Sequence, residues 1–319
     1  MKLRGGIDLG GTKIQAAVVD RQGKVVGRAR RPTPTDAGPA GVAAAMAAAM
    51  GLAVEEAGTS TKQLVAVGVG CPGAVDRKAG TLARAPNLPD WLDPFPLAKV
   101  LGDEIGTKVV LGNDVGVAVE AELRLGAGKP YDSFLGVFWG TGVGGGVVLD
   151  RKLWRGRGAG GELGHVKVER SGGLPCGCGS TGCMEAYAGR GNMERRAHEA
   201  QAAGRTTRLF EFMAERSRTR LASGVWEQAL AEGDALARDL IDEATDAIAV
   251  AVASAVNLLD VEAVIVGGGL GLRFGEPWAE RLASEMGPRL FQPARSPDVR
   301  VAELGDLGGA IGAALLVTA

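Results

Sequence analysis

Short apolar runs separated by glycine-bearing polar turns recur along most of this chain. From Gly6 to Arg30 an apolar run, a Gly10-Gly11-Thr12 turn, a second apolar run and a Gln22-Gly23 turn follow one another. That order predicts an antiparallel meander. Leu64 to Val69 and Lys108 to Leu111 are continuous apolar runs, as expected of strands buried on both faces. Ala40 to Ala57, rich in Ala and Met with little Gly, predicts a helix packed on the sheet. Asp234 to Leu259 predicts a long amphipathic helix, with Leu240, Ala244, Ala247, Ile248, Ala251 and Ala255 on its apolar side. Met193 to about Arg220 is charged and helical in pattern, with His198 exposed. Ser133 to Leu153 repeats the opening pattern: at an offset of 130 residues, Gly10 falls on Gly140, Val18 on Val148 and Asp20 on Asp150. The repeat points to an internal duplication, two similar halves facing a cleft.

Length and charge narrow the class. The 319 residues suffice for two domains with their own cores. A formal net charge of -1 gives no electrostatic case for nucleic acid or an anionic membrane. Apolar runs are broken by Gly or charge before reaching membrane-spanning length, and no uncleaved signal sequence precedes the first strand. Cys71 has no obvious disulfide partner, and the other three cysteines cluster. Cysteine usage of this kind suits the reducing cytoplasm.

Candidate chemistry concentrates in GAGGELGHVKVERSGGLPCGCGSTGCMEAYAGR, Gly158 to Arg190. Cys176, Cys178 and Cys183 fall within eight residues, and His165 lies eleven positions before the first. Three thiolates and an imidazole complete a tetrahedral zinc shell with no place for water, so the predicted zinc is structural. Reduced core thiols are the competing reading, but a Gly-rich polar loop suits them poorly. Glu162 stands three residues before His165 and Glu185 two after Cys183. Two carboxylates and an imidazole fixed by one metal would make a receptor for vicinal hydroxyls. At the other end of the chain, the N–H groups of Gly10, Gly11 and Thr12 could cradle a phosphate, with Asp8 holding magnesium through water. Alone, that turn reads equally as an ordinary hairpin. Gly112-Asn113-Asp114 ends a buried strand and precedes a helix, where open α/β sheets present reactive groups. Gly267, Gly268 and Gly269 leave the strand Ala263 to Val266. Alone they mean a turn, though they would also admit a flat or phosphorylated ligand.

These segments resemble the ROK family of bacterial sugar kinases, its glucokinase-type members most. GGELGHV followed by CGCGSTGCMEAYAG carries the resemblance, joined by the PG-x-V-D turn at Pro72 to Asp76, the Asn-Leu…Trp segment at Asn87 to Trp91, and the Asn113-Asp114 pair. The resemblance implies a two-lobed actin-like, ribonuclease H-like ATPase fold with a cleft between the lobes. Residues 1–115 with about 303–319 would form a small α/β domain, and residues 116–302 a larger one carrying the zinc loop. The closing Gly305 to Val317 helix would pack back on the first domain.

By the same resemblance, Asp114 is the general base for a hexose hydroxyl, and Gly73, Asn87 and Asn113 contact the sugar together with Glu162, His165 and Glu185. Asp8, Gly10, Gly11, Thr12 and Lys13 with Gly140, Thr141 and Gly142 would hold ATP and Mg2+, and Gly267 to Gly269 would border adenine. Many family members carry Asn two places after the base, where this chain has Gly116, so weaker helix capping is expected there. The implied reaction is glucose to glucose 6-phosphate in a cytoplasmic homo-oligomer, a dimer or tetramer. Alternatives keep the fold: a mannose, fructose or N-acetylhexosamine kinase, a polyphosphate-using glucokinase, or a noncatalytic sugar-sensing protein. A repressor needs a helix-turn-helix before the first strand, and the strand starting by residue 6 leaves no room for one.

Overall fold

The structure, a computed structural model, describes residues 2–85, 88 and 90–317. It divides into two compact units, Met1–Lys129 with Glu303–Ala319, and Pro130–Ala302. In the first, β1 (Leu3–Leu9), β2 (Lys13–Val19) and β3 (Val25–Pro32) form the antiparallel meander read from the sequence. Helix α1 (Gly38–Glu56) covers β2 and β3 with Val42, Met46, Ala49, Met50 and Ala53, a helical stripe that is fully buried. By length and composition α1 is also the one described helix apolar enough to cross a membrane. Strand β4 (Leu64–Cys71) runs parallel to β1. A hairpin of β5 (Ala74–Asp76) and β6 (Thr81–Ala83) then leads to α2 (Leu97–Ile105). Strand β7 (Val109–Asn113) pairs parallel with β4, and α3 (Asp114–Leu125) follows it without a loop. The sheet order is β3-β2-β1-β4-β7.

The second unit builds the same sheet again. Its strands are β8 (Phe134–Trp139), β9 (Val143–Leu149) and β10 (Lys152–Trp154), antiparallel in turn. After them come α4 (Met184–Ala188), α5 (Arg190–Ala202), α6 (Leu209–Glu215), α7 (Ser223–Ala231) and α8 (Ala235–Leu259). The charged Met193 to Arg220 segment is thus two helices, and exposed His198 of α5 stacks on Phe210 of α6, with ring centroids 4.2 Å apart. Helix α8 starts where Asp234 accepts a hydrogen bond from Ala237 N at 2.8 Å. Its predicted apolar side is buried except for Ala255, which is half-buried against the same core. Strand β11 (Ala263–Gly267), α9 (Gly268–Met286, broken at Gly275) and β12 (Asp298–Val301) complete the unit. The order β10-β9-β8-β11-β12 reproduces the first sheet strand for strand.

The duplication carries a one-residue shift. Leu9 pairs with Ile14 across the first turn, but Trp139 pairs with Val143 across the second. The second turn is therefore one residue shorter, and beyond it Val18 corresponds to Val147, not Val148.

Helix α10 (Gly308–Leu315) returns the chain to the first unit. A Cβ at Gly6 would lie 1.9 Å from Ala310 O, and one at Gly68 1.8 Å from Ala313 O. At Gly312 it would lie 1.9 Å from Val117 O. The helix is thus pressed backbone to backbone on β1 and β4 and against α3, a distance only glycine allows. Buried Glu122 of α3 secures the approach, accepting from Ala127 N at 2.9 Å, Glu303 N at 3.1 Å and Leu304 N at 3.0 Å. These contacts place α3 in the first unit, so the division falls after Lys129 and not at the 115/116 boundary expected from the sequence.

Candidate active site

Three parallel strands of the first unit end side by side. Asp8 is in register with Gly70, Gly70 with Gly112, and Cys71 with Asn113. A Cβ at Gly70 would lie 3.4 Å from Asp114 Cα and 3.9 Å from Asp8 Oδ1, so the missing side chain lets the two carboxylate residues flank one point. Such carboxyl ends are where open α/β sheets bind ligands. Asp114 Oδ1 accepts from Val115 N at 2.8 Å. The cap of α3 is Asn113, whose Oδ1 accepts from Gly116 N at 2.8 Å. Weaker capping was expected from Gly116; instead the glycine N–H is the donor that Asn113 caps. With its oxygen engaged, Asn113 has its amide N–H groups left to offer. Burial, with Asp114 and Asp8 nearby, pushes the Cys71 thiol well above its ordinary value, so it stays protonated and packs.

Burial also pushes Asp8 up to about 6, Lys13 opposing the rise and Asp306 adding to it. Lys13 Nζ is held by Asp306 Oδ1 at 2.9 Å. Gln15, 4% exposed, sits opposite Asp8 in the β1–β2 ladder, and its buried Oε1 has no partner. A half-buried carboxylate beside an orphaned amide oxygen fits a hydrated magnesium ion, whose waters need acceptors.

In the second unit His165, Cys176, Cys178 and Cys183 place their ligand atoms within 4.8 Å of one another. Cys176 Sγ is 3.7 Å from His165 Nδ1, and Cys178 Sγ is 3.8 Å from Cys183 Sγ. The ligand-to-ligand edge of a tetrahedral zinc–thiolate shell is about 3.8 Å, so the four residues fit zinc. Gly179 and Gly182, at φ of 87° and 71°, make the turns that aim the sulfurs. Burial pushes the Cys176 thiol up to about 12, so its thiolate needs a cation nearby.

The knot's flanks converge on the start of β9. Gly164, in the turn from Glu162 to His165, packs on Val143, where a Cβ would lie 2.1 Å from Val143 O and 3.5 Å from Glu185 Cβ. Glu185 Oε2 accepts from Val143 N at 2.9 Å. Glu162 is exposed and, among the described residues, its carboxylate has no partner. Gly164 thus sets the Glu162–His165 turn against Glu185. Glu185 braces the Gly140–Gly142 turn.

That turn closes through Gly140 N donating to Gly142 O at 2.9 Å, as Gly10 N donates to Lys13 O at 3.0 Å in the first. The glycines after β11 lie against it. A Cβ at Gly268 would be 2.5 Å from Trp139 O, and one at Gly140 would be 3.8 Å from Gly269 N. Gly140 to Gly142 and Gly267 to Gly269 therefore form one surface at the N-terminus of α9, an arrangement suited to phosphate. Gly73 packs on the backbone of residues 83–85, just before Asn87. Asn87 itself lies outside the described residues.

Comparison with known proteins fits this geometry. The ROK family model matches residues 4–319. The chain belongs to the ROK family. A glucokinase of Thermotoga maritima is 34% identical over 96% of this chain and 95% of its own length. A ROK family glucokinase from Streptomyces griseus, solved with glucose and AMPPNP, is 35% identical with a TM-score of 0.82, covering 99% of each chain. A ROK hexokinase from Thermus thermophilus is 36% identical with a TM-score of 0.77, covering 98% of this chain and 97% of its own. The protein is accordingly a sugar kinase with the two-lobed actin-like fold, one duplicated sheet in each lobe.

Two functional candidates were missed from the sequence. Gln15 looked like one more residue of an apolar strand, and Arg190 like the end of the Cys/His stretch. Arg190 Nη2 donates to Thr141 Oγ1 at 3.0 Å, while Arg190 N and Gly191 N donate to Gly140 O and Thr141 O at 3.2 and 3.0 Å. The Gly-Arg-Gly that follows the AYA of the knot was the available signal.

Proposed function

We propose that this ROK protein transfers the γ-phosphoryl group of ATP to the 6-hydroxyl of glucose, with Asp114 as general base. The observation that carries the reading is that Asp8, on β1, and Asp114, just after β7, flank Gly70 of the intervening strand β4 at the carboxyl ends of the three parallel strands. Phosphoryl transfer asks a protein mainly for position and charge, namely a base for the attacking hydroxyl and a cation at the leaving phosphates. Asp114 takes the hydroxyl proton as the oxygen attacks phosphorus. Its hydrogen bond from Val115 N fixes the carboxylate.

Asn113 donates to a sugar oxygen, because its own oxygen is used in the cap. Glu162, His165 and the free Glu185 oxygen take ring hydroxyls, and Asn87 and the backbone at Gly73 complete the sugar contacts. Gly10, Gly11, Thr12 and Lys13 with Gly140, Thr141 and Gly142 bind phosphate, and Gly267 to Gly269 border the adenine. Mg2+ held near Asp8 and Gln15 would neutralise charge on the phosphates. Zinc at His165, Cys176, Cys178 and Cys183 is structural, since four protein ligands leave no open position. Glucose is favoured by the glucokinase relatives across the whole chain.

The protein is placed in the cytoplasm, where zinc thiolates stay reduced. It is placed as a homo-oligomer, which would cover Leu258 and Phe291, 82% and 84% exposed on segments joined by Asn257. Turnover of ATP against a panel of hexoses tests the reading. Glucose should be phosphorylated with the highest kcat/KM. Preference for an N-acetylhexosamine, or for polyphosphate as donor, would keep the chemistry and change the substrate. No phosphorylation of any sugar would overturn it.

A further inference from the structure

The charges around the start of α5 do not balance. Arg190 is its first residue, half-buried, and Arg220 lies close by. The carboxylate beside them, Glu194, 6% exposed, is taken by Arg220, accepting from its Nε through both oxygens at 2.9 Å. Arg190 forms no ion pair among the described residues, and Nη2 turns to the neutral Thr141 hydroxyl. A guanidinium at a helix N-terminus also faces the positive end of the helix dipole. Burial lowers its pKa, Glu194 opposing the drop and Arg220 adding to it. An anion would relieve each of these strains. The nearest surface able to hold one is the Gly140–Gly142 turn, to which Arg190 and Gly191 are already tied by their backbone N–H groups.

We propose that Arg190 is a phosphate ligand of the nucleotide, contacting the phosphate chain over the Gly140–Gly142 turn and fixing the Thr141 hydroxyl as a second donor. The hydroxyl follows from valence: Thr141 Oγ1 accepts from Arg190, so its own proton is free to point at a phosphate oxygen. Arginine is the residue for this double task, since its planar fork serves two acceptors at once, whereas lysine is a point charge. The inference rests on the reading above that this turn receives the donor's phosphates.

Calorimetric titration of wild type, Arg190→Gln and Arg190→Lys with ATP, inorganic triphosphate, adenosine and glucose tests it. Arg190→Gln should weaken ATP and triphosphate by ~10- to 100-fold, the scale of a hydrogen bond to a charged group. Adenosine and glucose should be unaffected, and Arg190→Lys should fall between. Should Arg190→Gln fail to fold, Thr141→Val removes one donor only and should weaken triphosphate while sparing adenosine. Equal triphosphate affinity in Arg190→Gln and wild type would overturn the assignment. So would equal losses for triphosphate and adenosine, the mark of a merely structural role. Triphosphate binding that depends on Arg190 in a protein that phosphorylates no sugar would sink the proposed function and keep this site. Hexokinase activity with triphosphate binding indifferent to Arg190 would do the reverse.

Discussion

The two units present one sheet with opposite chemistry. Where β1 carries Asp8 opposite Gly70, β8 carries Phe138 opposite Gly267. The first site is acidic, built from Asp8 and Asp114 with Lys13 tied to Asp306. The second is rich in N–H groups and guanidinium, with a Cys/His knot bracing it. Packing diverges as well. At Gly68 of β4 a helix backbone reaches the sheet, while the corresponding position of β11 is fully buried Ile265. The strand order is common to both halves, so function lies in what decorates the strand ends.

Removing zinc should separate the halves most sharply. In the stripped protein the 158–190 segment should lose hydrogen-exchange protection and sugar binding should disappear, while β1, β4 and β7 stay protected. Full activity without zinc would show that the knot braces nothing. A smaller contrast comes from paired core variants. Gly68→Val must push α10 off the sheet and should cost at least about 3 kcal/mol in denaturant unfolding. Ile265→Val only trims a methylene and should cost about 1 kcal/mol. Equal costs would mean that α10 is not pressed on β4 as described.

Local signals made much of this legible in the sequence. The GGT and GTG turns, the Leu64 and Lys108 runs and the periodicity of α8 are short-range patterns, and each formed the expected element. Clustered cysteines with His165 pointed to four ligand atoms within reach of one ion, because ligand chemistry restricts residue type so strongly. Long-range facts were hidden. Nothing near Glu122 tells that it binds the backbone of Glu303 and Leu304, and so the boundary was set too early. The one-residue shift of the duplication depends on ladder register, which a constant offset cannot register. Arg190 and Glu185 were read on their own segments, whereas their partners Thr141 and Val143 lie 49 and 42 residues away.

Asp114→Asn tests the central claim most directly, because it replaces the proposed base with an amide of the same shape. Its oxygen can still accept from Val115 N. The account expects glucose to bind as in wild type while phosphorylation falls by at least about 100-fold. Near wild-type turnover in that variant would contradict it.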